Sequence, residues 1–376
     1  MLNTNCTLCS TQLTDENKTK EHIIPNSIGG WDEVEDFICV SCNSATGDKW
    51  DAELAAQFNW IALMIGIIRD RNESPPKLVS TVSGEKFLLQ NDGSMLPAKF
   101  KYQELKDGEQ TKISFIARTP KEAKKKIEEI AKRFPQIDKD KLLENAKIKT
   151  SYLNEPLHID MNFGGPLAGR SVVKTALAFA FSRGINPHSC ENAKNFVCDE
   201  TADSSCYGLM YLADVVKIRP ANTLFHCIAL FGDRGRNRLF AYVEYFGLAR
   251  WLIELSKNYD GPELREVYAI DPSTALSVNI EVVWSLTDEM IEKTLNGYGY
   301  TDESYMAAIT SSMDEVMRRN KERGLSNAVK SSFFAAGEKL GLVEGDTITP
   351  DISRKFSSTM VEELMPYILH QMGVRK

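Results

Sequence analysis

No stretch of this chain is apolar for long enough to cross a bilayer. Its richest run, Trp60 to Ile68, is far short of the roughly 18 consecutive apolar residues that a spanning helix needs. No membrane association is expected. The first residues, Met1 to Thr11, are polar and carry a cysteine pair, so they do not read as a signal peptide, and a cytoplasmic location is expected. Internal repeats and low-complexity tracts are also lacking. Basic charge is in short supply, with 45 Lys and Arg against 52 Asp and Glu and a formal net charge of −7. A protein that coats DNA needs the opposite balance, because phosphate contacts are made by Lys and Arg. A nuclease does not, since a bound metal supplies positive charge locally. What is present is ordinary for a soluble globular protein, 43% apolar and 26% charged over 376 residues, enough for two or three domains.

Residues 1–72 read as a first unit. A strand-like stretch from Lys20 to Ile24 leads into Pro25, Gly29-Gly30 marks a loop, and Phe37-Ile38 reads as a short second strand. A helix is predicted from about Ser44 to Ile68, with Trp50, Leu54, Phe58, Ile61 and Ile65 on one apolar stripe. Asn72 to Lys77, with Pro75-Pro76, reads as a linker. Residues 73–157 follow as a connecting region. Strands at Lys86–Leu89, Phe100–Leu105 and Ile113–Ala117 are set off by turns at Asn91-Asp92-Gly93 and Asp107-Gly108. A basic helix Pro120–Arg133, capped by Thr119, and a second helix Asp138–Ala146 come next. Residues 158–376 form a third region. A helix is expected over Ala168–Ser182 and strands over Leu224–Phe231, Leu239–Tyr245 and Val278–Trp284. From Asp288 the chain is mostly helical, broken at Gly341 and Pro350.

Eight cysteines are present, and four of them, Cys6, Cys9, Cys39 and Cys42, form two Cys-x2-Cys pairs. In a cytosolic chain such pairs favour metal over disulfide. Four thiolates supply the tetrahedral shell of a structural Zn²⁺, which would add stability to a first unit whose core is thin.

Between the pairs lies Glu21-His22-Ile23-Ile24-Pro25, then Gly29-Gly30. After the second pair come Asn43, Gly47 and Asp51-Ala52-Glu53-Leu54-Ala55. Over residues 6 to 55 this combination resembles the HNH, or ββα-metal, endonuclease family, in its bacterial zinc-stapled subgroup. The resemblance implies an α+β protein, with a small zinc-bound ββα-metal domain followed by a larger mixed α/β region. It also implies that Glu21 and Asn43 share a catalytic divalent ion, and their oxygen ligands suit Mg²⁺ or Mn²⁺. His22 can take a proton from water, since imidazole titrates near neutral pH. Asn43 also has the chemistry of a helix cap. Two features depart from the family. Val34 stands where a middle Asn is usual, leaving Asp32, Asp36 or Asn26 to hold the loop over His22. Thr46 and Gly47 stand where a lysine is common, with Lys49 beyond.

Other signals are weaker. Lys121, Lys124, Lys125, Lys126, Lys132 and Arg133, followed by Lys139, Lys141 and Lys147, make either a DNA-backbone grip or a solvated face balanced by Glu122, Glu128 and Glu129. Arg234, Arg236 and Arg238 crowd a turn that either binds phosphate or is an ordinary hairpin tip. Cys190, Cys198 and Cys206, with His188 nearby, are spaced too widely for a usual zinc site. His226 and Cys227 read as core. Arg170 and Lys174 share a helix face with no phosphate-loop pattern.

The expected function is metal-dependent cleavage of DNA, with His22, Glu21 and Asn43 at the reacting phosphate and Lys49, Lys125 and Arg236 as candidate nucleic-acid contacts. The first 72 residues carry eleven acids against five bases, so they should grip DNA poorly alone. The C-terminal region is therefore expected to control cutting, in restriction or antiviral defence, with a homo-oligomer, a protein partner or a small-molecule activator as further possibilities. The alternative is a non-catalytic zinc-ribbon adaptor for protein or nucleic acid.

Overall fold

Strand β1 (Lys18–His22) pairs antiparallel with β2 (Glu33–Cys39), His22 facing Glu33 and Glu21 facing Val34, with an irregularity between Lys18 and Lys20. These come from a computed structural model in which residues 4–70, 73–107, 110–144, 151–202 and 206–374 are described. Met1, Asn72, Gly108, Ala146 and Lys147, which entered the sequence reading, lie outside them. Between the strands, a 3-10 turn at Asn26–Ile28 ends in Gly29, whose φ of 95° suits glycine. A Cβ at Gly30 would sit 1.9 Å from the Ile24 carbonyl oxygen, so both glycines are required by geometry.

The predicted single helix is three pieces. Helix α1 (Val40–Thr46) begins directly after Cys39, a π-type turn spans Gly47–Asp51, and α2 runs Ala52–Ile65. Asn43 is thus inside α1, whose N-cap is Cys39, and it caps nothing. The one-sided stripe is also corrected. Trp60, Ala62, Leu63 and Met64 are buried along with Phe58, Ile61 and Ile65, so the second half of α2 is covered all round, as an apolar helix requires.

The cover comes from residues 161–319. Contacts divide the chain into one unit of Met1–Pro75 with Met161–Arg319 and a second of Pro76–Asp160 with Asn320–Lys376. The chain therefore does not group as three successive blocks at 72 and 157. In the first unit, helix α3 (Pro166–Ser182) is buried from Ala168 to Ala180 and is followed by α4 (Glu191–Cys198). The strands are β3 (Tyr207–Leu209), β4 (His226–Asp233), β5 (Arg238–Tyr245), β6 (Ala249–Ser256), β7 (Leu264–Asp271) and β8 (Leu276–Ser277). They form one antiparallel sheet in the order β8-β7-β4-β5-β6-β3. The predicted strand Val278–Trp284 does not form. Its alternate apolar residues Val278, Ile280, Val282 and Trp284 pack on the sheet core instead, and only Val282 makes an isolated bridge, to Val216. Phe58 of α2 meets Phe163, Tyr245, Phe246 and Trp251. The inserted segment leaves and returns on α2: Asn59 donates to the Pro75 carbonyl at 3.0 Å, and Gln57 exchanges two hydrogen bonds with Gly164.

The second unit holds a four-stranded sheet in the order Met95–Pro97, Lys86–Leu89, Lys77–Thr81, Leu157–His158, and a separate hairpin of Lys101–Asp107 with Gln110–Ile116. Its helices are Pro120–Arg133, Lys139–Glu144 and Pro350–Gln371. A 38-residue helix, Asp302–Lys339, contributes to both units. Among the described residues, no helix is long and apolar enough to cross a membrane.

His226 on β4 holds the glycine loop. It is fully buried, accepts from the Phe246 N–H through Nδ1 at 3.1 Å, and so donates from Nε2 to the Ile28 carbonyl at 2.8 Å. Burial pushes its pKa down to about 4. The unfolded chain takes up this proton near pH 6.5 and the folded one only near 4. Stability is therefore full above about pH 6.5 and declines as pH falls towards about 4, by roughly 3 kcal/mol in all. Urea unfolding across that range should show the decline in the wild type and a shallower one in His226→Gln. Parallel curves for the two proteins would contradict it.

Candidate active site

The two cysteine pairs come together. Cys6 and Cys9 lie on the first knuckle, Cys39 ends β2 and Cys42 lies in α1, and the four sulfurs are all within 4.8 Å of one another. Cys9 Sγ is 3.7 Å from Cys39 Sγ. That is the separation of two thiolates on one tetrahedral zinc, whose bonds of about 2.3 Å give an edge of about 3.8 Å. The four-cysteine cluster can therefore bind a structural zinc ion. The later cysteines form no such cluster among the described residues. Cys190, Cys206 and Cys227 are buried, and Cys198 donates to the Leu8 carbonyl at 3.3 Å beside the first knuckle.

His22 is the last residue of β1. Neighbours on a strand point to opposite faces, yet at the strand end Glu21 and His22 line one cavity of about 310 Å³. Asn43 and Asp51 line it too, with Pro25 and Ser27 from the loop. The Ser27 hydroxyl is shielded from solvent and has no hydrogen-bond partner among the described residues. Asn43 donates from Nδ2 to Thr19 Oγ1 at 3.2 Å and to the Lys20 carbonyl at 3.1 Å. It ties α1 to β1 through its amide nitrogen, and Oδ1 takes no part in these two contacts. Of the residues considered for the missing Asn, Asn26 holds the loop, donating to the Gly30 carbonyl at 3.0 Å. Val34 is buried opposite Glu21.

Behind two of the cavity residues, Glu21 and Asp51, lies a lysine that the motif does not include. Lys174 of α3, 1% exposed, places Nζ 2.5 Å from Glu21 Oε1 and 2.6 Å from Asp51 Oδ2, with Thr46 Oγ1 at 3.3 Å. Ser171 donates to the other Asp51 oxygen at 2.5 Å. Burial alone would lower the Lys174 pKa, but Asp51 and Glu21 outweigh it and hold the ammonium charged. Burial pushes the Glu21 carboxyl up, with Asp51 adding to the rise and Lys174 opposing it. Sequence spacing could not pair positions 153 residues apart. The available signal was a charged residue inside an apolar helical run, Val172 to Ala180.

The remaining sequence candidates are placed elsewhere. Lys49 is exposed in the π-type turn, and Lys125 is exposed on the helix of the second unit. Arg236 is held by Asp233 and Asp288 at 2.5 and 2.6 Å, and Arg238 by Glu254. Arg236 and Arg238 are thus already paired with carboxylates, which counts against Arg236 as a phosphate contact. Arg170 is buried, donating to the Phe196 and Asp199 carbonyls.

Residues 6–59 match the HNH endonuclease family model. The matched segment contains the cysteine knuckles, β1, β2, α1 and the first half of α2, and therefore every cavity residue named above; Lys174 lies outside it. No curated protein and no solved structure matches the chain.

Two outcomes follow from this geometry. Lys174→Met leaves Glu21 and Asp51 buried without their cation and should cost about 3–5 kcal/mol in urea unfolding, with partial recovery in the Glu21→Gln, Lys174→Met double variant. Cys39→Ala should lose the structural zinc, measured by elemental analysis, and lower the melting temperature. A variant that keeps full zinc content and wild-type stability would rule out the staple.

Proposed function

We propose that the chain is a metal-dependent endonuclease that hydrolyses phosphodiester bonds in DNA. The observation that carries the reading is the HNH endonuclease match falling on a cavity lined by Glu21, His22 and Asn43. In this reading His22 accepts the proton of the attacking water. The new P–O bond forms as the bond to the 3′ oxygen breaks. Glu21 and Asn43 would hold a Mg²⁺ or Mn²⁺ ion through Oε2 and Oδ1, the oxygens left over by Lys174 and by the Asn43 amide contacts. Such an ion, when bound, neutralises the scissile phosphate and the departing oxygen. Lys174 keeps the Glu21 and Asp51 carboxylates side by side despite their repulsion. Lys49 and Lys125 are the proposed phosphate contacts.

Residues 161–319 enter this reading as controllers of cutting, because α3 supplies Lys174 and β4 supplies His226. Any change in how they pack is transmitted to Glu21 or to the glycine loop. Restriction or antiviral defence is the proposed setting. One observation favours a second reading, a zinc-stapled adaptor without catalysis: Glu21 already has a cation partner.

Plasmid incubated with the full chain in Mg²⁺ or Mn²⁺ separates the two. Cleavage that falls by about 10²-fold or more in His22→Ala is expected of a lost general base. Undiminished cutting by that variant removes His22 as base. Absence of cutting in every metal, from a chain with its structural zinc intact, selects the adaptor.

A further inference from the structure

A second convergence of ligand atoms joins His22 to two residues that do not line the cavity. Glu33 faces His22 across the β1–β2 ladder. Asp70 arrives from beyond α2. That helix ends at Gly66 in the left-handed conformation, and the Ile68 N–H is fixed to the Pro272 carbonyl at 3.0 Å, turning the chain back. His22 Nε2 is 3.4 Å from Asp70 Oδ2 and 3.6 Å from Glu33 Oε1, and the three ligand atoms are all within 4.8 Å of one another.

These separations are longer than the roughly 2.7–3.2 Å of a good N–H···O hydrogen bond. They fit two ligands on one ion, since tetrahedral bonds of about 2.1 Å to nitrogen or oxygen give edges of about 3.4 Å. The cysteine cluster of the same molecule meets the equivalent test for sulfur. Two carboxylates and a neutral imidazole also carry the charge that a divalent cation balances. The side chains are 19%, 30% and 25% exposed for His22, Glu33 and Asp70, so an ion and its water can reach them. An imidazole with two carboxylates selects a transition ion of the zinc or manganese class over Mg²⁺.

We infer that His22, Glu33 and Asp70 form a second, solvent-accessible metal site for such an ion, and that filling it switches the nuclease off. The off-switch rests on the proposed function; the site does not. An imidazole bound through Nε2 keeps its proton on Nδ1 and has no lone pair left to accept one from water. One residue would then serve either as base or as ligand, according to the free concentration of the ion.

The test titrates Zn²⁺ by calorimetry into the full chain with its cysteine site already loaded, and counts zinc by elemental analysis. A second equivalent is expected in the wild type. Asp70→Asn and Glu33→Gln should each weaken it by at least about tenfold, and His22→Ala should remove it, the cysteine-bound equivalent remaining in all three. A wild type that takes up only the cysteine equivalent overturns the site. So does a second equivalent that survives both His22→Ala and Asp70→Asn. In a Mg²⁺ cleavage reaction, added Zn²⁺ should inhibit the wild type and leave Asp70→Asn cutting. Equal inhibition of the two overturns the switch. A chain that never cuts removes the nuclease reading, and the stoichiometry then still decides the site.

Discussion

The ammonium of Lys174, buried between Glu21 and Asp51, fixes the rest of this unit. Two carboxylates cannot share a dry pocket without a counter-charge, and a lysine cannot be buried alone. Each group is tolerable only because the others are there. The consequence is geometric. Helix α3 is buried from Ala168 to Ala180, and its polar residues Arg170, Ser171, Lys174 and Thr175 each find a partner only in one rotational setting. Of its two buried cations, Arg170 is tied to the Phe196 and Asp199 carbonyls, and Lys174 admits the setting in which Nζ meets β1 and the π-type turn together. Ser171, one turn earlier on the same helix, repeats the constraint through Asp51.

A second tie acts on the loop that carries Gly29 and Gly30. The Ile28 carbonyl is held by His226, and a Cβ at Gly29 would lie 2.6 Å from Pro272 Cβ. The hairpin end of the motif is therefore seated on strands β4 and β7, and its helical end on α3. What the sequence presents as a short N-terminal module is in the folded chain one layer of a larger body. Its electrostatic completion comes from residues more than a hundred positions away.

The parts of this that could be read from sequence are those encoded locally. Two Cys-x2-Cys knuckles announce a metal because each knuckle sets its own pair of sulfurs. Glu21-His22 before Pro25 places both residues at a strand end, and the spacing from Trp50 to Ile65 identifies a helix. Helix Pro120–Arg133 and strands β4 and β5 follow from patterning in the same way. The features that stayed hidden depend on distant pairing. Lys174 looked like an unused charge, Asp51 like part of a helical motif, and Asp70 like one more acid of the first unit, because only the folded chain brings each to its partner. Strand β6 was passed over because Arg250 and Glu254 break up its apolar run. Both are buried in the sheet, where Arg250 meets Glu244 and Glu254 meets Arg238. Val278–Trp284 misled in the opposite direction: its alternation records one packed face, and packing does not require a ladder partner.

The chain departs for residues 76–160 from a point held by Asn59 and comes back at a point held by Gln57, within a single turn of α2. An excursion whose two ends are pinned so close together makes no demand on the first unit beyond that turn; its own packing partners are residues 320–376 of the second unit. In evolutionary terms it is a socket. The segment between Pro75 and Met161 can lengthen, shorten or be exchanged for an unrelated one while the cysteine knuckles, the His22 cavity and the Lys174 bridge keep their places. Lineages carrying this framework are therefore free to diverge fastest in that interval.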